Sequence, residues 1–182
     1  DNTANNPITK KNKNITTYNT DFVNKDYRII DLVNIIKYNE EININNKTIS
    51  IHQLFKKADT IIISVGMNDI YNKLNDNTKD IYTYTNEMIN NMEYILDEIA
   101  KYNPHQVFVL SYYNITNNYN DIFTYLNYKL QKITNNHNYT YLELNKKLKN
   151  NPEILEKSNN FSLNNEGYSI INQIIVENSK KY

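Results

Sequence analysis

The chain has 182 residues and a mass of 21.6 kDa, a size that fits one domain around one sizeable core. Its 20 basic residues balance 20 acidic ones, which removes any whole-molecule electrostatic attraction to nucleic acid or anionic membrane. Without cysteine it has neither a disulfide framework nor a thiolate metal site, and no apolar run approaches the roughly 20 residues needed to span a bilayer.

Residues 1–17 are polar, with Ala4, Ile8 and Ile15 as isolated apolar positions, and read as a loose arm ahead of a single domain over 18–182. No signal peptide stands out. The first residue is Asp1 rather than Met, which leaves room for a removed leader or an upstream segment. Asparagine is heavily used, but apolar runs interrupt it throughout, so it reflects coding bias rather than a prion-like tract. Triplets such as Asn14-Ile15-Thr16 therefore carry little weight as glycosylation signals.

Phe22 and Val23 can bury in the mixed stretch that follows. Ile29, Ile30, Leu32, Val33, Ile35 and Ile36 then place a broad apolar face on a helix, with Asp31, Asn34 and Lys37 opposite. Residues 39–47 read as a turn or short hairpin. Ser50 is placed to cap a helix that turns Ile51, Leu54, Phe55 and Ala58 inward. Residues 60–65, TIIISV, form the β-branched run of a strand buried on both faces, and it ends at Gly66, one of only two glycines. A polar loop is expected over 72–79. The longest helix follows over 80–102, through Ile81, Tyr84, Met88, Ile89, Met92, Ile95, Leu96 and Ile99, and Asn103-Pro104 closes it. A second buried strand is read over 106–112, a helix over 121–134, a shorter strand over 139–144 and a closing helix over 167–178. Strands alternating with long helices give βαβ units, hence a parallel sheet with helices on both faces. No internal repeat or linker is visible.

Several chemistries fall away. A phosphate-cradling loop, a dinucleotide fingerprint and a G-x-S-x-G elbow all need clustered glycines, and the chain has only Gly66 and Gly167. His52, His105 and His137 lie far apart with no partner at metal-ligand spacing, so no metal or other cofactor is expected and each reads as a surface residue. In an open α/β sheet the ligand crevice lies at the carboxyl ends of the strands. The Asn68 amide, just past the Gly66 turn, is placed to face it; the plain alternative is a turn followed by an Asn/Asp helix cap.

Gly66-Met67-Asn68-Asp69 after an apolar strand resembles the third sequence block of the SGNH, or GDSL-type, ester hydrolases. Asn164-Asn165-Glu166-Gly167-Tyr168 before an apolar helix resembles the end of that family's last block, and the stretch from YRIIDL to ISIHQLFKKAD is similar to its bacterial members. The resemblance runs from about Tyr18 to the C-terminus. It implies a three-layer α/β/α sandwich of flavodoxin-like type with a parallel sheet of five strands. It also implies a serine–histidine–aspartate mechanism and an oxyanion hole that includes the third-block asparagine.

Carried over by position, the resemblance makes Gly66 and Asn68 the oxyanion-hole remnant. It puts Ser162 where the histidine belongs, Asn159 where the aspartate belongs and Leu163 in place of a proline. The Gly-Asp-Ser block and its strand have no counterpart. Asp1-Asn2 is at most a remnant of that block, and Asn24, Lys25 and Asp26 stand where the second-block glycine is expected. Losing the nucleophile or base of such a triad costs on the order of a millionfold in turnover. An oxyanion donor alone supplies roughly two to three orders of magnitude. The resemblance thus implies a degenerate hydrolase-type domain serving as a binding or structural module, with a small acyl or carbohydrate ester as ligand. Two alternatives stay open. One is an active ester hydrolase or acyl-transfer enzyme whose nucleophile lies upstream of residue 1, with His105 or His137 as base. The other is an unrelated α/β interaction domain using some of the 17 tyrosines.

Overall fold

The computed structural model describes residues 26–44, 47–76, 80–115, 118–149, 151–156 and 161–179. The expected polar arm, Asp1, Asn2, Asn24, Lys25 and Asn159 lie outside them.

Helix α1, Ile29–Lys37, buries Ile29, Ile35 and Ile36, as its apolar spacing predicts. It stops at Tyr38, where Asn39 takes a left-handed φ of 48° and lets the chain fold back. Strands β1 (Glu41–Ile44) and β2 (Lys47–Ser50) then form the expected antiparallel hairpin, with Glu41 opposite Ser50. Ser50 caps helix α2, Ile51–Lys57: its hydroxyl accepts from the Gln53 N–H, and the Gln53 side chain accepts from the Ser50 N–H.

Strand β3, Thr60–Ile63, leads through Gly66 directly into helix α3, Met67–Leu74. Asn72, Lys73 and Leu74 therefore belong to a helix rather than to the expected polar loop. The helix packs Met67, Ile70, Tyr71 and Leu74 toward the core and buries Asp69 and Lys73 beside them. Helix α4, Ile81–Ala100, begins at Asp80, whose carboxylate accepts from the N–H groups of Tyr82 and Thr83. Strand β4 (Gln106–Leu110), helix α5 (Asn120–Asn136), strand β5 (Thr140–Leu142), helix α6 (Asn145–Leu148) and helix α7 (Asn165–Ser179) complete the described chain. Helix α7 starts two residues before Gly167, which is buried in its first turn.

The sheet is parallel in the order β3-β4-β5, with Ile63 beside Val109 and Leu110 beside Leu142. Side chains alternate between its faces. Ile63, Val107 and Val109 pack with α1, α2, α4 and α5, whereas Phe108, Leu110 and Leu142 pack with α6 and α7. Helices therefore cover both faces, as in the expected α/β/α sandwich. Of the five strands implied by the resemblance, three form this sheet among the described residues, and β1–β2 is a separate hairpin. Strand β4 is buried from Val107 to Leu110, whereas Ile61 and Ile62 of β3 are only half-buried. No described strand pairs with the outer side of β3.

Candidate functional site

The parallel order brings the carboxyl ends of β3, β4 and β5 to one edge, where Gly66, Ser111 and Glu143 follow the strands. Gly66 adopts φ +108°, a left-handed conformation that L side chains rarely take. Space forbids a side chain as well: a Cβ would lie 2.5 Å from the Tyr112 hydroxyl and 2.9 Å from Ile29 Cδ1. The glycine thus lets the backbone turn against a buried tyrosine and open α3. Met67, next in sequence, touches the cores on both faces of the sheet.

Asn68 and Asp69 act together on one segment. The Asn68 side-chain amide donates to the Tyr27 carbonyl at 3.3 Å, and Asp69 Oδ2 accepts from the Ile29 N–H at 2.9 Å. One amide and one carboxylate therefore clasp the backbone on either side of Arg28, the only arginine in the chain. Asp69 Oδ1 accepts a longer bond from the Tyr84 hydroxyl at 3.5 Å. Burial pushes the Asp69 carboxyl above the usual carboxylate range, against the opposing pull of the Ile29 N–H and the Arg28 charge. Burial and the neighbouring Asp69 charge push Tyr84 up too.

The far wall comes from the end of β4. The Tyr112 hydroxyl is fully buried with no hydrogen-bond partner among the described residues, and burial and the Asp69 charge push it strongly up. The Tyr113 hydroxyl, on the opposite face, donates to the Phe161 carbonyl at 2.9 Å. Phe161 in turn stacks on Tyr71 of α3, with ring centroids 4.4 Å apart, and burial raises the Tyr71 phenol to about 12. These contacts bring Ser162 to the same end of the molecule as Asn68. Ser162 is fixed by its backbone, since its carbonyl accepts from the Glu156 N–H and Leu163 bridges to Leu155. The edge beyond is knitted by amides and hydroxyls. The Ser111 hydroxyl accepts from the Leu144 N–H, and Asn145 Oδ1 accepts from the Asn114 N–H. The Asn114 amide donates to the Asn118 carbonyl and to Asn120 Oδ1.

All three histidines lie at the opposite end. His52 contacts Ile36 at the end of α1 and Tyr102 just past α4. His105 immediately precedes β4, and His137 closes α5 ahead of β5. At about 3.3 Å per residue, His105 and Ser111 are roughly 20 Å apart along β4. Only His105 is exposed, as expected of a surface residue. His52 and His137 are half-buried, because each ring bridges the end of one helix to the neighbouring helix. Among the described residues no cluster of His, Asp and Glu could hold a metal ion. No helix there is long and apolar enough to cross a membrane.

Sequence reading singled out Gly66 and Asn68 but missed the roles of Asp69, Tyr112 and the Tyr27–Ile29 backbone. Asp69 carried a faint signal, as an acid between an apolar strand and Ile70. Tyr112 carried none, being one of 17 tyrosines.

No family model matches the chain, and no curated protein matches it either. Solved structures do. An acetyl xylan esterase superimposes with a TM-score of 0.62 at 20% identity, over 84% of this chain and 76% of its own. An alpha/beta hydrolase enzyme from the metagenome of Lake Arreo, Spain, gives 0.62 at 13% identity, over 85% and 69%. A GDSL-like lipase from Parabacteroides merdae gives 0.61 at 13% identity, again over 85% and 69%. Gly66 at a strand end, the parallel order of the sheet and these superpositions agree: the chain has the fold of the SGNH, or GDSL-type, ester hydrolases.

Proposed function

We propose that the domain holds a small acyl or carbohydrate ester in the crevice beside Asn68 without hydrolysing it, as a binding or structural module. The observation that carries this reading is the position of the histidines. Ester hydrolysis by this fold needs a base within hydrogen-bond reach of the nucleophile, whereas His52, His105 and His137 all sit at the amino ends of the strands. Ser162, at the matching position, has a hydroxyl far too weakly basic to replace an imidazole at neutral pH. The Asn68 amide donates to Tyr27, a second use for a group that would otherwise only face an oxyanion. The acetyl xylan esterase among the neighbours supports a carbohydrate ester as the ligand class.

The test is turnover of p-nitrophenyl acetate and acetylated xylo-oligosaccharides by the purified chain and by Asn68→Ala. We expect rates at buffer background for both, with the oligosaccharides shifting the Asn68 side-chain amide resonances. Turnover that disappears in Asn68→Ala would overturn the reading.

A second reading draws on the outer side of β3, with which no described strand pairs. A half-buried β-branched strand with no described neighbour there suits an additional strand, which in an active ester hydrolase would carry the nucleophile. Labelling of a longer gene product by a serine-reactive phosphonate, against none for residues 1–182, would favour it. The unrelated interaction domain loses its ground, because a parallel sheet with Asn68 at a strand end is what it would have lacked.

A further inference from the structure

The two half-buried imidazoles differ in what surrounds their nitrogens. His52 Nε2 lies 2.7 Å from the Ile36 carbonyl, which only accepts, and Nδ1 lies 2.8 Å from the Tyr102 hydroxyl, which can donate. A ring with its proton on Nε2 satisfies both contacts. His137 has no such option. Its Nδ1 lies 2.7 Å from the Ile133 carbonyl and its Nε2 lies 2.8 Å from Asp97 Oδ1, and both partners only accept. Making both bonds requires a proton on each nitrogen, that is, an imidazolium.

The surroundings favour that charge. His137 is the cap at the C-terminus of α5, where the negative end of the helix dipole attracts a cation. Asp97 and Glu93 face it from α4, and the Tyr139 ring stacks on it at 5.6 Å from the turn into β5. The His137 side chain is 13% exposed while Asp97 is 65% exposed, so the ring is held within the fold and its carboxylate partner reaches it from the solvent side.

We propose that His137 is a pH-set rivet: held as an imidazolium in the folded chain, it ties the end of α5 and the entry to β5 onto α4, and the tie loosens as the medium turns alkaline. Burial works against the charge on this ring, but the Ile133 carbonyl and the Asp97 and Glu93 carboxylates outweigh it, leaving the group above its ordinary range. A histidine that holds its proton more tightly when folded contributes full stabilisation below about 6.5, its unfolded value. That contribution disappears as pH rises through the folded value. The rivet stands at the opposite end of the sheet from Asn68 and acts whether or not the crevice turns over an ester.

The test is a pH titration of the 15N-labelled chain, following the ring nitrogens by long-range 1H–15N correlation. We expect both His137 nitrogens to carry protons at pH 6.5 with a midpoint above that value. The neutral His52 ring should carry its proton on Nε2. In Asp97→Asn the His137 midpoint should fall by at least half a pH unit. Thermal unfolding should show the wild-type Tm dropping by roughly 2–4 °C between pH 6 and 8.5, beyond any drop in His137→Gln. His105→Gln should follow the wild type. A His137 midpoint at or below 6.5, or an equal Tm drop in wild type and His137→Gln, would overturn the proposal. If His137→Gln does not fold, the wild-type titration decides alone.

Discussion

At the scale of single residues, Asp69 sits where a carboxylate is hard to keep charged, buried against Ile29 and held by the Ile29 N–H and the Tyr84 hydroxyl. Its folded value is raised, so the folded state takes up a proton more readily than the unfolded chain. Stability from that protonation is complete below the ordinary carboxylate value and is lost as pH rises through the folded value. Asp69→Asn removes this dependence. The wild type should therefore gain relative to Asp69→Asn as pH falls from 7 to 4, measured by urea unfolding at each pH. Gly66 supports a sharper expectation. A methyl group there meets Tyr112 and Ile29 and must hold a positive φ. Gly66→Ala should lose about 3 kcal/mol by denaturant midpoint, combining backbone strain with overpacking. Tyr112→Phe should change stability by less than about 1 kcal/mol, because it removes a buried hydroxyl without a described partner.

At the scale of elements, what could be read from sequence depended on how each segment meets the core. Helices α1, α4 and α5 announce themselves because their apolar residues repeat every three or four positions against the sheet. Strand β4 does so because both its faces are covered, and β3, whose Ile61 and Ile62 are half-buried, through its β-branched run. Helix α3 was only partly legible: Met67, Ile70, Tyr71 and Leu74 keep helical spacing, but its buried residues include Asp69 and Lys73, polar groups that only tertiary partners make acceptable inside. Lys73 is satisfied by the Asp76 carbonyl and lies over the Tyr84 ring, neither of which any local pattern announces. The site was half-legible for the same reason. Gly66 and Asn68 stand in a recognisable order, whereas the Asn68–Asp69 clasp joins residues some forty positions apart. Two element-scale expectations follow from visible caps and contacts. Ser50→Ala removes the hydroxyl that caps α2 and should cost about 1 kcal/mol. Gly167→Ala should lower Tm despite the better helix propensity of alanine, because its Cβ would lie 2.9 Å from Leu163 Cβ and 3.1 Å from the Ile154 carbonyl.

At the scale of the whole molecule, the two faces of the sheet are covered by different parts of the chain. One face is packed by α1, α2, α4 and α5, all of which precede or lead into β5. The other, with Phe108, Leu110 and Leu142, receives its cover from Leu144, Leu148, Ile154, Leu163, Ile171, Ile174, Ile175 and Val176, all downstream of β5. Apart from Met67, Tyr113 and Ile115, the described strands are therefore complete in sequence before the cover of their second face has been made. A chain stopped before α7 should bind a hydrophobic dye and sediment as large particles, while residues 1–182 should do neither. In a cell the same order has a temporal meaning. At roughly 5–20 residues per second, a ribosome leaves that oily surface uncovered for some seconds after β5 emerges. That face is most open to aggregation at this stage, and the emergence of helix α7 is the step that ends its exposure.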